Sequence, residues 1–325
     1  MSKDTFLKGA LILTAAGILV KLIGSVNRIL LSRLLGGEGI GLYQMAYPIY
    51  LLALSISSAG IPVAISIIVA EKIAKSDYRG ANRVFKISLG VLAITGLLFT
   101  FILYFGAGWL IEHHFVRDAR AYYAIAALAP AIFFVTILSS YRGYFQGLQM
   151  MTPTAISQIF EQLVRVVTMI WLAYLLLPRG LEYAAAGASF GAGPGAAAGL
   201  IVLICYYWRQ RAASQYKMDN QSDAIRQESS VSIISRIIKL ALPVSLANIM
   251  LPVVSNIDLL IVPARLEVAG FTVEQATELF GYLTGMAIAL INLPTILTAS
   301  LAASLVPAVS EAFTLNNMQR IYQRT

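Results

Sequence analysis

LKGALILTAAGILVKLIGSVNRILLSRLLGGEGIGLYQ, residues 7–44, holds the chain's first long apolar run and the glycine-rich turn that follows it. Leu7 to Leu35 is long enough to cross a bilayer as a helix, which takes about 20 apolar residues. Two cations interrupt the run. Lys21 and Arg28 would each cost roughly 3 kcal/mol at the centre of a lipid-exposed helix. Gly17, Lys21, Gly24 and Arg28 recur at helical spacing and share one face. A stripe of two cations and two residues without side chains is expected to face protein or a watery cavity, because lipid offers it no partner.

The rest of the chain repeats the pattern. Of its 325 residues 58% are hydrophobic and 12% charged, and the mean hydropathy is +0.75. That charged share is about half of the roughly 25% found in soluble domains. The spacing predicts an all-α polytopic membrane protein of about eight spans, near 7–35, 41–71, 84–111, 121–146, 153–178, 181–208, 233–264 and 279–313. Gly36 to Gly41 are expected to break the chain after the first span, and Pro194 to kink the sixth. The first run exceeds a signal-peptide core and more spans follow it, so it is expected to be retained. Cys205 is the single cysteine and lies in an apolar run, which excludes an intrachain disulfide.

The net charge of +8 follows membrane topology rather than a nucleic-acid footprint, since no basic stripe with interleaved aromatics occurs. Lys72, Lys75, Arg79, Arg83 and Lys86 follow the second span, and Arg209, Arg211, Lys217, Arg226, Arg236 and Lys239 follow the sixth. The alternate loops hold Arg33, Arg117, Arg120, Arg179 and Arg265. This bias places the N-terminus in the cytoplasm. Tyr206, Tyr207 and Trp208 close the sixth span as an interfacial belt.

One composition break interrupts the spans, at RQRAASQYKMDNQSDAIRQESS. It divides the chain into an N-lobe of six helices at 1–208, a cytoplasmic linker at 209–231, and the first two helices of a second lobe at 232–325. The pattern then restarts. Lys8 and Arg33 bracket span one as Lys239 and Arg265 bracket span seven, and Asn27 and Asn256 hold similar late positions. Pro48 and Pro62 in span two answer Pro294 and Pro307 in span eight. Six spans per unit keep the two units in the same orientation, related about the membrane normal with a cleft between them. A second unit equal to the first would need at least four more spans than the chain has, so a partial second lobe is expected.

TFLKGALILTAAG, GSVNRILLSRLLGGEGIGLYQMAYP, GIPVAISIIVAE, SSYRGYFQGLQMMTPTAISQIFEQLVRV, LEYAAAGA and LVPAVSEA resemble the stage V sporulation protein B-like family of polysaccharide exporters and lipid II flippases, in the MATE-like (MOP) superfamily. The stretch Ser139 to Val166 is the most specific match, and the resemblance covers nearly the whole chain. It implies two six-helix lobes in a V around a central cavity. It also implies transport of an undecaprenyl-pyrophosphate-linked glycan precursor across the bacterial cell membrane, in peptidoglycan or spore cortex assembly. Flippases of this superfamily carry cavity-facing arginines on the first helix. By motif position Lys21 takes the place of one, and Asn27 stands where another would be, with Arg28 beside it.

The partners implied are a lipid-linked glycan precursor and membrane lipids, with room for a coupling cation and for cell-wall synthesis enzymes. Lys21 and Arg28 suit a pyrophosphate, which needs paired cations in a poorly screened cavity. The alternatives are that Lys21 neutralises a buried acid and that Arg28 snorkels to the interface. Gln158, Glu161, Gln162 and Arg165 share a face of span five, and Glu161 and Arg165 are spaced to pair. That pair is either a structural lock or part of a substrate or ion site. Asp258 either binds a coupling cation or answers Lys21 across the cleft. Arg142, at the end of span four, is expected to meet lipid phosphates or helix-terminal carbonyls. Pro48, Pro62, Pro243, Pro252, Pro294 and Pro307 are the hinge candidates.

His113 and His114 lack partners at metal spacing, and the sequence carries no nucleophile elbow, metal-protease motif or nucleotide fingerprint. No cofactor, metal or enzymatic activity is expected. Two other readings remain beside the flippase. One is a cation-coupled MATE-type exporter of small amphiphiles, which would favour an acidic cavity. The other is a non-transporting membrane scaffold for cell-wall enzymes.

Overall fold

The first apolar run continues as helix further than its glycines suggest. In the computed structural model, which describes residues 3–58, 60–219 and 228–291, helix α1 runs over Lys3–Ser58, with Gly36 at φ 67 and ψ −173 as its non-helical residue. A side chain is strained at that φ, so glycine lets the chain fold back within one residue. The break expected across Gly36 to Gly41 is therefore a single kink, and the helix resumes at once. The second expected span is itself divided. Gly60, at φ 77, precedes α2 (Ile61–Ala74), with a proline in the first turn of α2. Pro62 cannot continue the preceding helix but suits the start of a new one.

Helices α3 (Tyr78–Glu112), α4 (Ala121–Gly147) and α5 (Met151–Leu176) follow, and a short 3₁₀ turn at Leu177–Arg179 leads to α6 (Leu181–Phe190) and α7 (Ala192–Asp219). The N-terminus of α3 is capped by Asp77, whose carboxylate accepts the Gly80 N–H at 2.8 Å. The interruption expected from Pro194 falls at Gly191, between α6 and α7, one turn ahead of the proline that has no N–H to offer the Phe190 carbonyl. Pro194 sits in the first turn of α7, where its missing N–H breaks no helical bond. Part of the expected linker is helical, since α7 extends to Asp219; residues 220–227 lie outside the described ones.

α8 (Ser230–Val268) is 39 residues long and contains Pro243, Pro252 and Pro263. After it come α9 (Val273–Phe280), a π-helical turn at Gly281–Ala287 and α10 (Ile288–Ile291). The remainder of the eighth expected span, with Pro294 and Pro307, lies outside the described residues.

Among the described residues six segments are long and apolar enough to cross a membrane. The first, Leu11–Ala74, is 64 residues long. That is about three times the length one crossing needs, and its fold at Gly36 makes it the first two expected spans. The protein is thus an all-α, multi-pass membrane protein. Its outward surface agrees: Phe105 is 74% exposed and Val167 67%, acceptable where the surrounding solvent is lipid.

α4 is the central helix, packed against α1, α2, α3, α6 and α7. Leu128, Ile125 and Ile132 of α4 share a core with Leu42 and Met45 of α1 and Leu259 of α8. A second core joins Ile65 and Ile68 of α2, Phe85 of α3, and Ile233 and Ile237 of α8. With no aqueous driving force between helices, such contacts depend on close packing. Gly143 of α4 accordingly lies against Pro62 and Ile65, and Gly147 against Val69.

Candidate functional site

Three charged side chains meet inside the helical bundle. Glu161 of α5 bonds Arg165 one turn along at 2.7 Å, the pair anticipated from their spacing. Its other carboxylate oxygen bonds Arg142 of α4 at 2.8 Å. Arg142 also donates to the Ser157 hydroxyl at 3.1 and 3.2 Å, and that hydroxyl donates to the Thr154 carbonyl at 2.7 Å. Arg142 is therefore not free for lipid phosphates, as its position at a helix end suggests; the short α4–α5 turn swings Ser157 and Glu161 into its reach. α7 closes over this face. Its Gly195 lies against the Arg165 side chain and the Glu161 carbonyl, and Gly199 against the Ser157 carbonyl. Two guanidiniums on one carboxylate leave the cluster with one net positive charge.

α1 presents its cations differently. Gly24 approaches the Gln162 amide of α5, and Asn27 is buried, donating to the Met169 sulfur at 3.6 Å. Asn27 packs against α5, and its carbonyl oxygen has no partner among the described residues. Lys21 is exposed, Arg28 is half-buried, and neither is in an ion pair among the described residues. The acid expected as a partner for Lys21 is absent there: Asp258 is exposed and likewise unpaired. It lies off the face of α8 that buries Pro252, Leu259 and Pro263.

Past the Gly36 kink, α1 returns three tyrosines to this region. Tyr43 and Tyr47 stack at 5.5 Å, and Tyr47 meets Tyr50 at 5.8 Å. Tyr43 interacts electrostatically with both Arg28 and Arg165, and Tyr50 with Arg165 and Glu161. Tyr43 packs with Leu31 of α1 and Met169 of α5, each about one helical turn from Arg28 and Arg165 respectively. These tyrosines have no assigned role in the sequence-based expectation. The available signal was their spacing, which puts all three on one face of an apolar helix.

Contacts at both ends of the bundle tie α1, α2 and the turns flanking α3 to α8 and α9 and the residues beside them. At one end Arg120 bonds Asp118 through two nitrogens at 3.0 and 2.7 Å and Glu38 at 2.6 Å. The Thr277 hydroxyl of α9 donates to the same Asp118 at 2.9 Å, and Arg117 pairs with Glu267 at 3.7 Å. Hydrogen bonds donated to the Asp118 carboxylate hold the Arg120 guanidinium above its ordinary pKa range. At the opposite end Arg236 of α8 pairs with Glu71, and Lys72 bridges Asp77 and Glu228, each at 3.2 Å. Hydrogen bonds from Ser232 and Lys72 hold the Glu228 carboxyl below its usual range. Between the ends, the Asn256 amide donates to the Pro48 carbonyl at 2.9 Å. Among the hinge candidates, Pro48 and Pro252 are buried and Pro243 is exposed.

Residues 6–313 match the polysaccharide biosynthesis protein family. The chain is 36% identical to stage V sporulation protein B of Bacillus subtilis (strain 168), over all of this chain and 62% of that protein. It is 30% identical to the lipid II flippase MurJ of the same organism, over 98% of this chain and 60% of the relative. The chain therefore spans about three fifths of the length of these two relatives. An inward-facing multidrug resistance MATE family transporter of the MOP superfamily superimposes with a TM-score of 0.64, at 16% identity, over the whole of this chain and 66% of that one. At such identity the superposition concerns the fold alone, and it is the MATE-like arrangement.

Proposed function

Because the chain belongs to the polysaccharide biosynthesis protein family, we propose that it moves a polyprenyl-pyrophosphate-linked glycan precursor across the bacterial cell membrane, as a lipid II-like flippase acting in peptidoglycan or spore cortex assembly. The observation that carries this reading is the pair of cations on α1, Lys21 and Arg28, which have no acidic partner among the described residues, while the one acid of the neighbouring cluster is already engaged twice. An intramembrane cation without a protein counter-charge needs an anion from elsewhere. A diphosphate supplies one, and an arginine can bind it through two parallel bonds. The names of the two sporulation and flippase relatives support the same direction. The work is binding and movement rather than bond chemistry.

In this reading residues 1–208 form one lobe, and the segment from 232 onward begins the other. The N-terminus lies in the cytoplasm, which puts the Glu71–Arg236 contact inside and the Asp118–Thr277 contact outside. Alternating access requires the two sets of contacts to open in turn, with bends at Pro48, Pro62, Pro243 and Pro252. A cation-coupled exporter of small amphiphiles fits less well, because Glu161 is neutralised by two arginines.

Reconstitution into vesicles tests the proposal, with labelled lipid-linked precursor assayed for appearance on the opposite leaflet. Arg28→Ala and Lys21→Ala should each reduce the rate at least about tenfold, the worth of one lost charge-assisted contact, while thermal unfolding stays unchanged. Transport at the original rate in both variants would overturn the assignment.

A further inference from the structure

The tyrosines on the distal half of α1 do more than packing requires. Tyr50 is 2% exposed and Tyr43 and Tyr47 are partly buried against the helical cores, so their rings are held in place. Phenylalanine would pack as well. Yet none of the three hydroxyls is in a hydrogen bond among the described residues, and each keeps some accessible surface at its oxygen, where a tyrosine hydroxyl normally finds a partner. Within a membrane protein such a group is costly unless a polar ligand or water completes it. Nearby polar atoms are unpartnered too: the Arg165 Nε and the Gln158 Oε1 are buried without a hydrogen bond.

The mixture of groups identifies the chemistry. A phosphate takes donors only, whereas a sugar hydroxyl both donates and accepts, as a phenol does. Tyrosine hydroxyls beside a guanidinium and a carboxylate match a polyol better than an anion. Position agrees with this. In a polyprenyl-diphosphate glycan the diphosphate is bonded directly to the first sugar, so sites for the two must adjoin. Tyr43 packs with Leu31 and Met169, one helical turn from Arg28 and Arg165. Resting on the function proposed above, we propose that Tyr43, Tyr47, Tyr50 and Arg165 form a saccharide subsite next to an Arg28 diphosphate site, receiving the first sugars of the lipid-linked glycan.

The test compares two ligands on the purified whole protein in detergent: a polyprenyl diphosphate bearing a disaccharide, and the bare polyprenyl diphosphate. The wild type should bind the saccharide-bearing lipid at least about tenfold more tightly, the worth of a few hydrogen bonds. The double variant Tyr43→Phe/Tyr47→Phe keeps both rings and removes only their hydroxyls. It should close most of that gap and leave the bare lipid's Kd unchanged, whereas Arg28→Ala should weaken both lipids together. Equal binding of the two lipids by the wild type would overturn the subsite. So would equal loss on both lipids in the double variant, or no loss on either. Thermal unfolding of the single Tyr47→Phe variant checks the fold: a normal melt with undiminished saccharide preference also counts against it. Flipping measured in vesicles separates the two proposals, since the expected binding pattern without transport sinks the flippase reading and leaves the subsite standing.

Discussion

The α4–α5 cluster and the α1 stripe both place cations inside the membrane, and they resolve the cost in opposite ways. Arg142 and Arg165 share Glu161 at 2.8 and 2.7 Å, under a lid of α7 glycines. Lys21 and Arg28 have no acid at all among the described residues. A carboxylate engaged on both oxygens holds helices in register, whereas an unanswered donor, on the α1 cations or at the Arg165 Nε, is poised for a ligand. The difference teaches that intramembrane charge alone does not mark a binding site; what matters is whether the protein already answers it.

The comparison breaks most readily at Glu161. Glu161→Gln leaves two buried guanidiniums without a counter-charge, and removing one partner of a buried pair costs about 3–5 kcal/mol. A thermal or denaturant melt of the solubilised protein should show that loss, while Arg28→Ala melts like the wild type. Similar melting of the two variants would erase the distinction between lock and ligand site.

A smaller effect is expected at Asp118, which repeats the pattern of several donors on one carboxylate but outside the spans. Its side chain is 3% exposed, while that of Arg120 is 32% exposed and partly solvated. Asp118→Asn should cost about 1–3 kcal/mol, typical of charge-assisted bonds. It should also increase labelling of a cysteine introduced at the neighbouring buried Ala276 by a water-soluble reagent. No change in either measurement would mean that this contact does not hold α9 in place.

The smallest effect belongs to Glu228 at the opposite end. Ser232 and Lys72 hold its carboxyl below the usual range, so its contribution is present above the unfolded carboxylate pKa of about 4.3 and lost as pH falls through the lower folded value. A partly exposed pair of this kind is worth below about 1 kcal/mol. Glu228→Gln should flatten the acid limb of the stability profile slightly, and an unaltered profile would remove Glu228 from the latch.

Much of this was legible in the chain. The spans follow from apolar length, and the Glu161–Arg165 pair from an interval of four residues, because local spacing on a helix determines which side chains are neighbours. The kink at Gly36 was visible as a glycine cluster, though not that one residue suffices. Arg142 was misjudged because its partners lie 15 and 19 residues away, across a helix turn. Asp258 was legible as a lone intramembrane acid, to bind a coupling cation or to answer Lys21, but its type and depth do not determine how its helix is rotated about its axis.

What the sequence alone determined was the class of molecule: lipid-length apolar runs must become helices, since only internal bonding satisfies the backbone in hydrocarbon. Its periodicity also determined which residues share a face. The tertiary structure decided what each face meets. It packed Tyr43 against Leu31 and Met169, joined Arg236 to Glu71 across 165 positions, and left Lys21 without an ion pair among the described residues. Those outcomes depend on helix rotation and on approach at small residues, which arise from the packing of all the helices together rather than from any one stretch of chain.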